Sequence, residues 1–295
     1  MTRDFLTRAF ALLIALGLPM VAVGADSDEA LRGQIESSMR LTGTIDIEAD
    51  GSVSAFTLDQ SDKVSAALTD YVHRNVSSWH FEPVVDDGGK AVRLRTPVHL
   101  RLLATSVKGE DDNVELSIAS ADFSQESAPK DPTTLHFDRM QAPKYPFDAV
   151  RSGVSGDVTM LVEVGRDGRV KNLHARQVNL RVQKSARIMT KWRARLAAAS
   201  EHAIREWTFK IPTEGPQADR ESWHIVVPIS FSFDRSAAKR YGQWDTYVAG
   251  PVQPTPWLDK DDAKQKVSAD ALADGGLYLL REDGPRLLSS LDKGP

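Results

Sequence analysis

The stretch that decides the fold is Gly156-Asp-Val-Thr-Met-Leu-Val-Glu-Val-Gly-Arg-Asp-Gly-Arg-Val170. Val158, Met160, Val162 and Val164 alternate up to Gly165, which predicts a strand, and Asp167-Gly168 predicts a tight turn into a returning strand. A helical pattern follows, then Trp207-Thr-Phe209-Lys-Ile-Pro212, and finally an alternating strand that ends at Phe233. The order strand, strand, helix, strand predicts one small α+β unit.

The same order of features occurs earlier in the chain. Gly43-Thr-Ile-Asp-Ile-Glu-Ala-Asp-Gly-Ser-Val53 predicts a strand and a tight turn at Asp50-Gly51. A helical pattern over residues 62–79 leads into Trp79-His-Phe81-Glu-Pro83, and a last alternating strand ends at Leu102. Similarity in a fixed order indicates an internal repeat, that is, two copies of one folding unit.

We therefore predict an α+β fold with two units, each a small antiparallel three-stranded sheet with helices packed on one face. The expected boundaries are 26–119 for the first unit, 120–140 for a linker, 141–234 for the second unit and 235–295 for a Pro-containing C-terminal tail. Aromatic side chains at each helix end are expected to anchor the helix on the sheet, and glycines to permit the turns. These structural residues are Trp79, Phe81, Trp207, Phe209, Gly51 and Gly168.

Three local interpretations concern segments outside these repeats or on their surfaces. Leu31, Ile35 and Met39 have helical spacing, which predicts a short amphipathic helix over residues 27–40. In the tail, Trp244 and Trp257 are expected to dock on the domain or, alternatively, to bind another molecule. A set of cations is interpreted as the solvent-exposed face of the second helix: Lys191, Arg193, Arg195 and Arg205.

The N-terminus predicts export from the cytoplasm. Arg3 and Arg8 precede an apolar run over residues 9–23, and Val23-Gly24-Ala25 supplies small residues for a cleavage site. This pattern is typical of a secretory signal peptide over residues 1–25, cleaved after Ala25, which would leave the chain without a stable membrane span. The alternative is an uncleaved anchor in the inner membrane, although a spanning helix needs about 20 apolar residues.

Composition and motifs exclude several classes of function. The chain has no cysteine, so disulfides, thiolate metal sites and a lipid-modified cysteine are excluded. Its net charge of −4 argues against a nucleic-acid partner. The sequence contains none of the common hydrolase, metalloprotease, phosphate-binding or dinucleotide-binding motifs, and the histidines lack metal-ligand spacing. We predict no catalytic residue, no metal and no cofactor; an exported hydrolase acting through surface carboxylates and histidines is the less favoured alternative.

The second repeat contains an ordered set of motifs: Pro143-Lys-Tyr145-Pro146, Gly156-Asp-Val158, Asp167-Gly168-Arg169-Val170, Trp207-Thr-Phe209 and a last strand with Val-x-Pro-Ile-x-Phe over residues 226–231. With these motifs, residues 143–233 resemble the C-terminal domain of the TonB family of periplasmic energy transducers. Residues 41–102 resemble the same domain more weakly. The resemblance implies a small antiparallel sheet with helices on one face, a periplasmic location, and binding of partners by pairing of an exposed strand edge with an extended peptide.

We therefore expect a non-enzymatic, periplasmic protein-interaction module of the cell envelope. The expected partner is an extended peptide, an envelope protein or a second copy of the chain, bound by strand addition because an edge strand presents unpaired N–H and C=O groups. The residues expected in the binding edges are Ile225, Val227, Ile229, Phe231, Val98 and Leu100. The alternative is a TonB-like transport component that keeps its N-terminal anchor and works with outer-membrane receptors.

Overall fold

The computed structural model describes residues 34–86, 88–106, 114–123, 131–233, 241–258, 272, 276–280 and 285–292. The expected signal peptide, with its cleavage site, and the first part of the expected helix over residues 27–40 lie outside these ranges. Everything reported below refers to the described residues.

The described chain is built mainly from β-strands, with a few helices. The strands are β1 (Ile35–Ile47), β2 (Val53–Leu58), β3 (Leu94–Ser106), β4 (Val114–Asp122), β5 (His136–Arg139), β6 (Gly156–Gly165), β7 (Val170–Leu180), β8 (Thr208–Lys210), β9 (Ser222–Phe231), β10 (Asp245–Val248) and β11 (Tyr278–Leu279). The helices are α1 (Ala66–Ser77), α2 (Phe147–Arg151) and α3 (Ala186–Ile204), and a short 3-10 turn at Ser61–Lys63 precedes α1. The α+β class is confirmed.

Nine of the strands form one antiparallel sheet. Its order is β11-β9-β6-β7-β10-β1-β3-β4. The ninth strand, β2, lies off this path and pairs with β1. Strands β5 and β8 form a separate two-stranded sheet. The expected pair of three-stranded sheets is therefore wrong: strand β10 pairs with β1 over four residues and with β7 at Val248 and Leu180, and so joins the strands of the two expected units.

Strand β1 corrects the expected helix over residues 27–40. From Ile35 onward this segment is extended, and Ile35, Met39 and Leu41 point to the same face of the sheet because they have the same parity. The spacing of Ile35 and Met39 fits both a helix and a strand. The strand forms because β3 pairs with β1 along residues 37–47 and β10 pairs with its beginning.

Helices α1 and α3 cover the same face of the sheet. Met39 and Leu41 belong to the apolar core under α1, and Ile35 packs against the core under α3. Since these residues share one parity on β1, both helices lie on one side. Each core contains the Trp and Phe at its helix end, Trp79 and Phe81 or Trp207 and Phe209, all of them buried.

The two turns make the same close contact. Gly51 has φ +87°, and a Cβ atom there would come within 2.0 Å of the Phe81 carbonyl oxygen. Gly168 has φ +70°, and a Cβ atom there would come within 2.3 Å of the Phe209 carbonyl oxygen. The Phe81 N–H donates to the Gly51 carbonyl at 2.8 Å, and the Phe209 N–H donates to the Gly168 carbonyl at 2.8 Å. A glycine is needed at each turn because only an absent Cβ permits both this φ and this approach.

The expected linker and tail both contribute strands. The end of β4 and all of β5 fall within residues 120–140, and β10 and β11 fall within the tail. Part of the tail also covers the sheet face opposite the helices, where Leu161 and Val226 form a third apolar cluster with tail residues. These tail residues are Trp257, Leu258, Leu272, Tyr278 and Leu280. Trp257 is partly buried there, whereas Trp244 is largely exposed.

Candidate partner-binding edges of the sheet

Strand β9 lies next to the end of the sheet. On its inner side it pairs with β6 along its whole length, from Gly165↔Ser222 to Gly156↔Phe231. On its outer side β11 pairs with it only at Tyr278↔Val226 and Leu279↔Ile225. No other described strand pairs with its outer side. The last half of β9 is therefore the candidate edge.

The side chains expected at this edge point into the core. Ile225, Val227, Ile229 and Phe231 are buried in the apolar cluster under α3. These side chains hold β9 against α3. The backbone N–H and C=O groups that face outward from the sheet belong to the alternate residues of β9. The Leu280 N–H donates to the His224 carbonyl at 2.9 Å. The residues of β9 whose backbone N–H and C=O groups face the outer side therefore have even numbers.

This parity places Pro228 and Ser230 on the outer side of β9. Pro228 has no N–H, so it removes one donor from the edge, which is where proline is tolerated in a sheet. Ser230 keeps both its N–H and its carbonyl. The edge is therefore blunted at residue 228 and able to pair from residue 230 onward.

An aromatic pair lies at the end of this edge. The rings of Tyr145 and Phe233 stack with centroids 5.3 Å apart, and the Tyr145 hydroxyl donates to the Val154 carbonyl at 2.6 Å. Burial raises the pKa of Tyr145 to about 12, so its hydroxyl stays a donor at neutral pH. Phe233 remains half exposed. An extended chain that pairs with Ser230 would pass this apolar surface.

The other expected edge is wrong. Val98 and Leu100 lie in β3, which is an interior strand between β1 and β4. Leu100 pairs with Leu41 on one side and with Ala121 on the other. Alternation along β3 arises because one face of the strand is buried and the other is not, so alternation alone does not distinguish an edge strand from an interior one. At this end of the sheet the outermost strand is β4.

The outer side of β4 is held by side chains. The Ile118 N–H donates to the Asp292 carboxylate at 3.1 Å, and the Tyr71 hydroxyl donates to the Leu116 carbonyl at 3.2 Å and to the Asp292 carboxylate. Burial, together with the Asp292 carboxylate, raises the pKa of Tyr71 far above its ordinary range. Asp292 and Tyr71 thus occupy part of this edge, and among the described residues β9 is the more open of the two edges.

The end of the chain also packs against the core under α1. The Trp79 Nε1–H donates to the Leu291 carbonyl at 3.1 Å, and Phe81 forms a β-bridge with Leu287. Trp207 makes the corresponding bond to the Gln141 carbonyl at 2.9 Å. Both buried indoles are therefore satisfied by main-chain carbonyls from outside their own hairpins.

Two charged networks cross the junction around β10. Arg181, immediately after β7, contacts Asp245 on β10 and Asp157 on β6, with Nη2 at 2.7 Å from a carboxylate oxygen of each. Despite burial, the two carboxylates raise the pKa of Arg181 above its already high ordinary value. On the other side of β10, the Arg101 Nη2 donates to Glu36 at 2.7 Å and to the Tyr247 hydroxyl. These networks fix β10 between β7 and β1.

Arg193 corrects the interpretation of α3. Its guanidinium does not lie on the solvent-exposed face but donates to the main-chain carbonyls of Val178, Val248 and Ala249. Burial lowers the pKa of this guanidinium, which nevertheless stays charged. Sequence periodicity missed this role because the carbonyls belong to β7 and to the tail. The only available signal was the position of Arg193 next to Trp192, at the border of the buried face.

Within the described residues there is no group of three or more His, Asp or Glu side chains placed to hold a metal ion. The same residues contain no helix with the length and apolar character needed to cross a bilayer.

Comparison with known proteins gives similarity over part of the chain. This chain is 34% identical over 95 residues to the curated protein named "Protein TonB" of Xanthomonas campestris pv. campestris, in strain B100 and in strain ATCC 33913. These relatives are TonB proteins. The matched stretch is 32% of this chain, and the chain spans only 36% of the length of the relatives. No family model and no solved structure matches the chain.

The similarity confirms the resemblance to TonB and supports a TonB C-terminal-like domain in part of the chain. The motif residues of the resemblance have defined places in the structure. Tyr145-Pro146 immediately precedes α2, Gly168 makes the close turn between β6 and β7, and Val226 lies on the outward side of β9. Tyr145 therefore lies beside the candidate edge, where it stacks on Phe233, whereas the Gly168 turn lies at the other end of β6.

Proposed function

We propose that the chain is a non-enzymatic protein-interaction module of the cell envelope, which binds an extended peptide by strand addition at the outer edge of β9. The proposal divides the chain into two TonB C-terminal-like units, 26–119 and 141–234, with the connecting segment and the tail completing one sheet. It places the module in the periplasm after removal of residues 1–25. The similarity to TonB proteins supports an envelope role with protein partners.

The single observation that supports this mode of binding is the pairing of β11 with β9. A segment of the tail, Tyr278–Leu279, adds to the edge of β9 in antiparallel orientation, and the Leu280 N–H donates to the His224 carbonyl. An extended segment of the chain therefore already uses this edge. A partner peptide would pair farther along, at Ser230, where no described strand competes.

Backbone chemistry at residue 230 gives the sharpest test. Replacing Ser230 with Pro removes the outward N–H without removing a bond to β6, because the outward-facing residues have even numbers. Ser230→Ala is the matched control, since it changes the side chain and keeps the N–H. A photo-crosslinking amino acid at residue 232 reports the partner in intact cells, and the same amino acid at the exposed Ser61 reports background.

We expect an adduct with an envelope protein from residue 232 in the otherwise unchanged chain and in Ser230→Ala, and loss of that adduct in Ser230→Pro. The same adduct from Ser61, or an adduct that persists in Ser230→Pro, would contradict strand addition at this edge. The alternative partner, a second copy of the chain, would give an adduct of twice the chain mass.

The similarity to TonB proteins also favours a second candidate, a transport component that keeps its N-terminus as an anchor. The two candidates differ in the N-terminus of the chain in cells. N-terminal sequencing of the protein from the envelope fraction would give Asp26 for the exported module, whereas an uncleaved Met1 or Thr2 would favour the anchored transducer.

A further inference from the structure

Helices α2 and α3 expose three large apolar side chains on their solvent side. Phe147 on α2 is 73% exposed, Val150 is 40% exposed, and Ile188 on α3 is 42% exposed. Phe147 and Val150 lie three residues apart on one face of α2, so both project away from the sheet. Most large apolar residues of these two helices that do not project in this way are buried in the core.

Cations surround these apolar side chains. Lys144 and Arg151 flank Phe147 on α2, and the Arg151 guanidinium lies 5.8 Å from the centre of the Phe147 ring. The other cations are all exposed and lie in the first half of α3 or just before it: Lys184, Arg187, Lys191 and Arg195. We call these six cations and the three exposed apolar side chains the cationic patch.

One ion pair joins the two helices into a single patch. The Arg195 Nε lies 3.2 Å from the Asp148 carboxylate, which connects α3 to α2. Asp148 is the one carboxylate on α2, and the one carboxylate of α3, Glu201, lies in its last turn. The patch is therefore strongly positive, although the whole chain has a net charge of −4.

The charge order along α3 opposes the helix macrodipole. The first turn of α3 has no acidic residue and no side-chain cap, while cations lie in its first two turns. The macrodipole favours acidic residues at a helix N-terminus and basic residues at its C-terminus. A local choice that works against stability indicates that another requirement, such as binding, selects it.

We propose that the cationic patch docks the chain on an anionic phospholipid surface. Exposed apolar side chains flanked by Lys and Arg are suited to a bilayer interface, where the apolar groups enter the headgroup region and the cations contact phosphates. The patch is the outer surface of two helices and offers no strand edge for a peptide. The exposed apolar side chains favour a bilayer over a nucleic acid, and the negative remainder of the chain orients the patch toward a negatively charged membrane.

This docking is separate from strand addition. It uses the helix face of the fold, whereas a peptide at β9 uses the edge of the sheet. A chain held by the cationic patch would present its sheet edge beside the membrane, where an envelope protein could reach it.

Vesicle flotation tests the proposal with the chain that begins at Asp26, because the apolar N-terminal run would itself partition into lipid. The probes are vesicles of phosphatidylethanolamine with 30% phosphatidylglycerol and vesicles of phosphatidylcholine alone. Two variants address the patch: Arg187→Glu with Lys191→Glu, and Phe147→Ser with Ile188→Ser. The matched control, Arg74→Glu with Lys90→Glu, makes the same charge change at exposed positions far from the patch in sequence.

We expect binding to the anionic vesicles, weak binding to phosphatidylcholine, and loss of binding as salt rises, because salt screens surface charges. A surface cation contributes roughly a fivefold gain in partition to an anionic membrane, so the double reversal should weaken binding at least tenfold. The apolar variant should weaken binding to the same vesicles, and the control should retain most of it.

Equal weakening by the patch reversal and the control would overturn the proposal, as would equal binding to the two kinds of vesicle. A crosslink from Lys184, which no variant changes, to an acidic protein would assign the patch to a protein instead if the patch reversal abolished it and left vesicle binding unchanged. Circular dichroism of each variant, compared with the unchanged chain, identifies any loss of binding that comes from unfolding.

Discussion

Arg181 holds the Asp245 carboxylate with two donor atoms: Nε lies 3.0 Å and 3.2 Å from its two oxygens, and Nη2 lies 2.7 Å from one of them. Asp245 begins β10, which pairs with β7 at one residue only, so this ion pair adds a side-chain connection between the end of β7 and the strand that joins the two parts of the sheet. The same guanidinium also binds Asp157 on β6. One arginine thus coordinates three strands.

Removing the Asp245 carboxylate is therefore expected to destabilise the fold. We expect Asp245→Ala to cost about 2–3 kcal/mol, because it leaves the partly buried Arg181 with one of its two carboxylates. Arg181→Lys keeps the charge and loses the paired geometry, so it should cost less. Urea unfolding measures both. A cost below that of Arg93→Lys, which alters an exposed ion pair with Glu48, would contradict this role.

The two turn glycines should be similarly intolerant of a side chain. We expect Gly51→Ala and Gly168→Ala each to cost about 3–4 kcal/mol, because both the positive φ and the overlap with a Phe carbonyl are unfavourable. Gly89 is the matched control: it has φ +76° with nothing within 4 Å of a Cβ atom. Gly89→Ala should cost about 1–2 kcal/mol in thermal or urea unfolding.

These glycine variants also test whether the joined sheet unfolds as one unit. If β10 couples the two parts, Gly51→Ala and Gly168→Ala should each shift a single transition. Two separate transitions, with each variant moving only one of them, would show that the parts unfold independently.

Stability should fall in acid through Glu163. Burial opposes its ionisation, but hydrogen bonds from Lys171 at 2.8 Å, Asn172 at 2.6 Å and Ser222 hold its pKa below the ordinary value. A carboxyl whose folded pKa is lowered stabilises the fold above its unfolded pKa of about 4.3, and this contribution disappears as the pH falls through the folded pKa.

We therefore expect Glu163→Gln to flatten the loss of unfolding free energy below about pH 4.5, and to make the protein less stable than the unchanged chain at neutral pH. Lys171→Met should move the acid transition to higher pH, because it removes one of the groups that lower the pKa of Glu163. Urea titrations between pH 3 and pH 7 measure both effects. An unchanged slope in Glu163→Gln would contradict the assignment.

Much of the local structure was predictable from the sequence. The parity change between Val53 and Phe56 predicts a bulge, and β1 and β2 show a register shift between Asp46 and Ile47. The alternation from Trp223 to Phe231 predicts β9 and its buried face. These features depend on neighbours in the sequence, which is why local patterns reveal them.

The features that the sequence did not reveal depend on distant segments. Strand β10 has four residues, too few for a periodic pattern, and its effect comes from pairing with β1 and β7. The edge position of β9 and the interior position of β3 follow from sheet order rather than from alternation. The sequence motifs could thus identify β9 as the strand of the candidate edge. Which side of β9 lacks a partner strand among the described residues follows only from the order of the strands in the sheet.

The outer side of β4 gives a spectroscopic prediction. The Asp292 carboxylate accepts hydrogen bonds from Tyr71 and from the Ile118 N–H, and burial with this carboxylate raises the pKa of Tyr71. We expect Asp292→Asn to lower that pKa without returning it to the ordinary value, because the burial remains. Tyr145 is an internal reference, since its raised pKa has burial as its cause. Alkaline titration of tyrosinate absorbance, with Tyr71→Phe to identify the signal, measures the shift; no change would contradict the contact.

Arg193 connects α3 to the junction between β7 and β10. The Arg193 Nε lies 3.2 Å from the Val178 carbonyl, and its Nη2 lies 2.9 Å from the Ala249 carbonyl, so one side chain satisfies main-chain acceptors on both sides of the junction. Lysine has a single nitrogen and cannot reproduce this fork. We expect Arg193→Lys to cost about 2 kcal/mol and to accelerate amide hydrogen exchange in β10 more than in β6, because β10 loses its support from the helix. Arg195→Lys, at an exposed ion pair, is the matched control and should leave exchange in β10 unchanged. Equal acceleration in β6 and β10 would mean that Arg193 stabilises the whole fold rather than this junction.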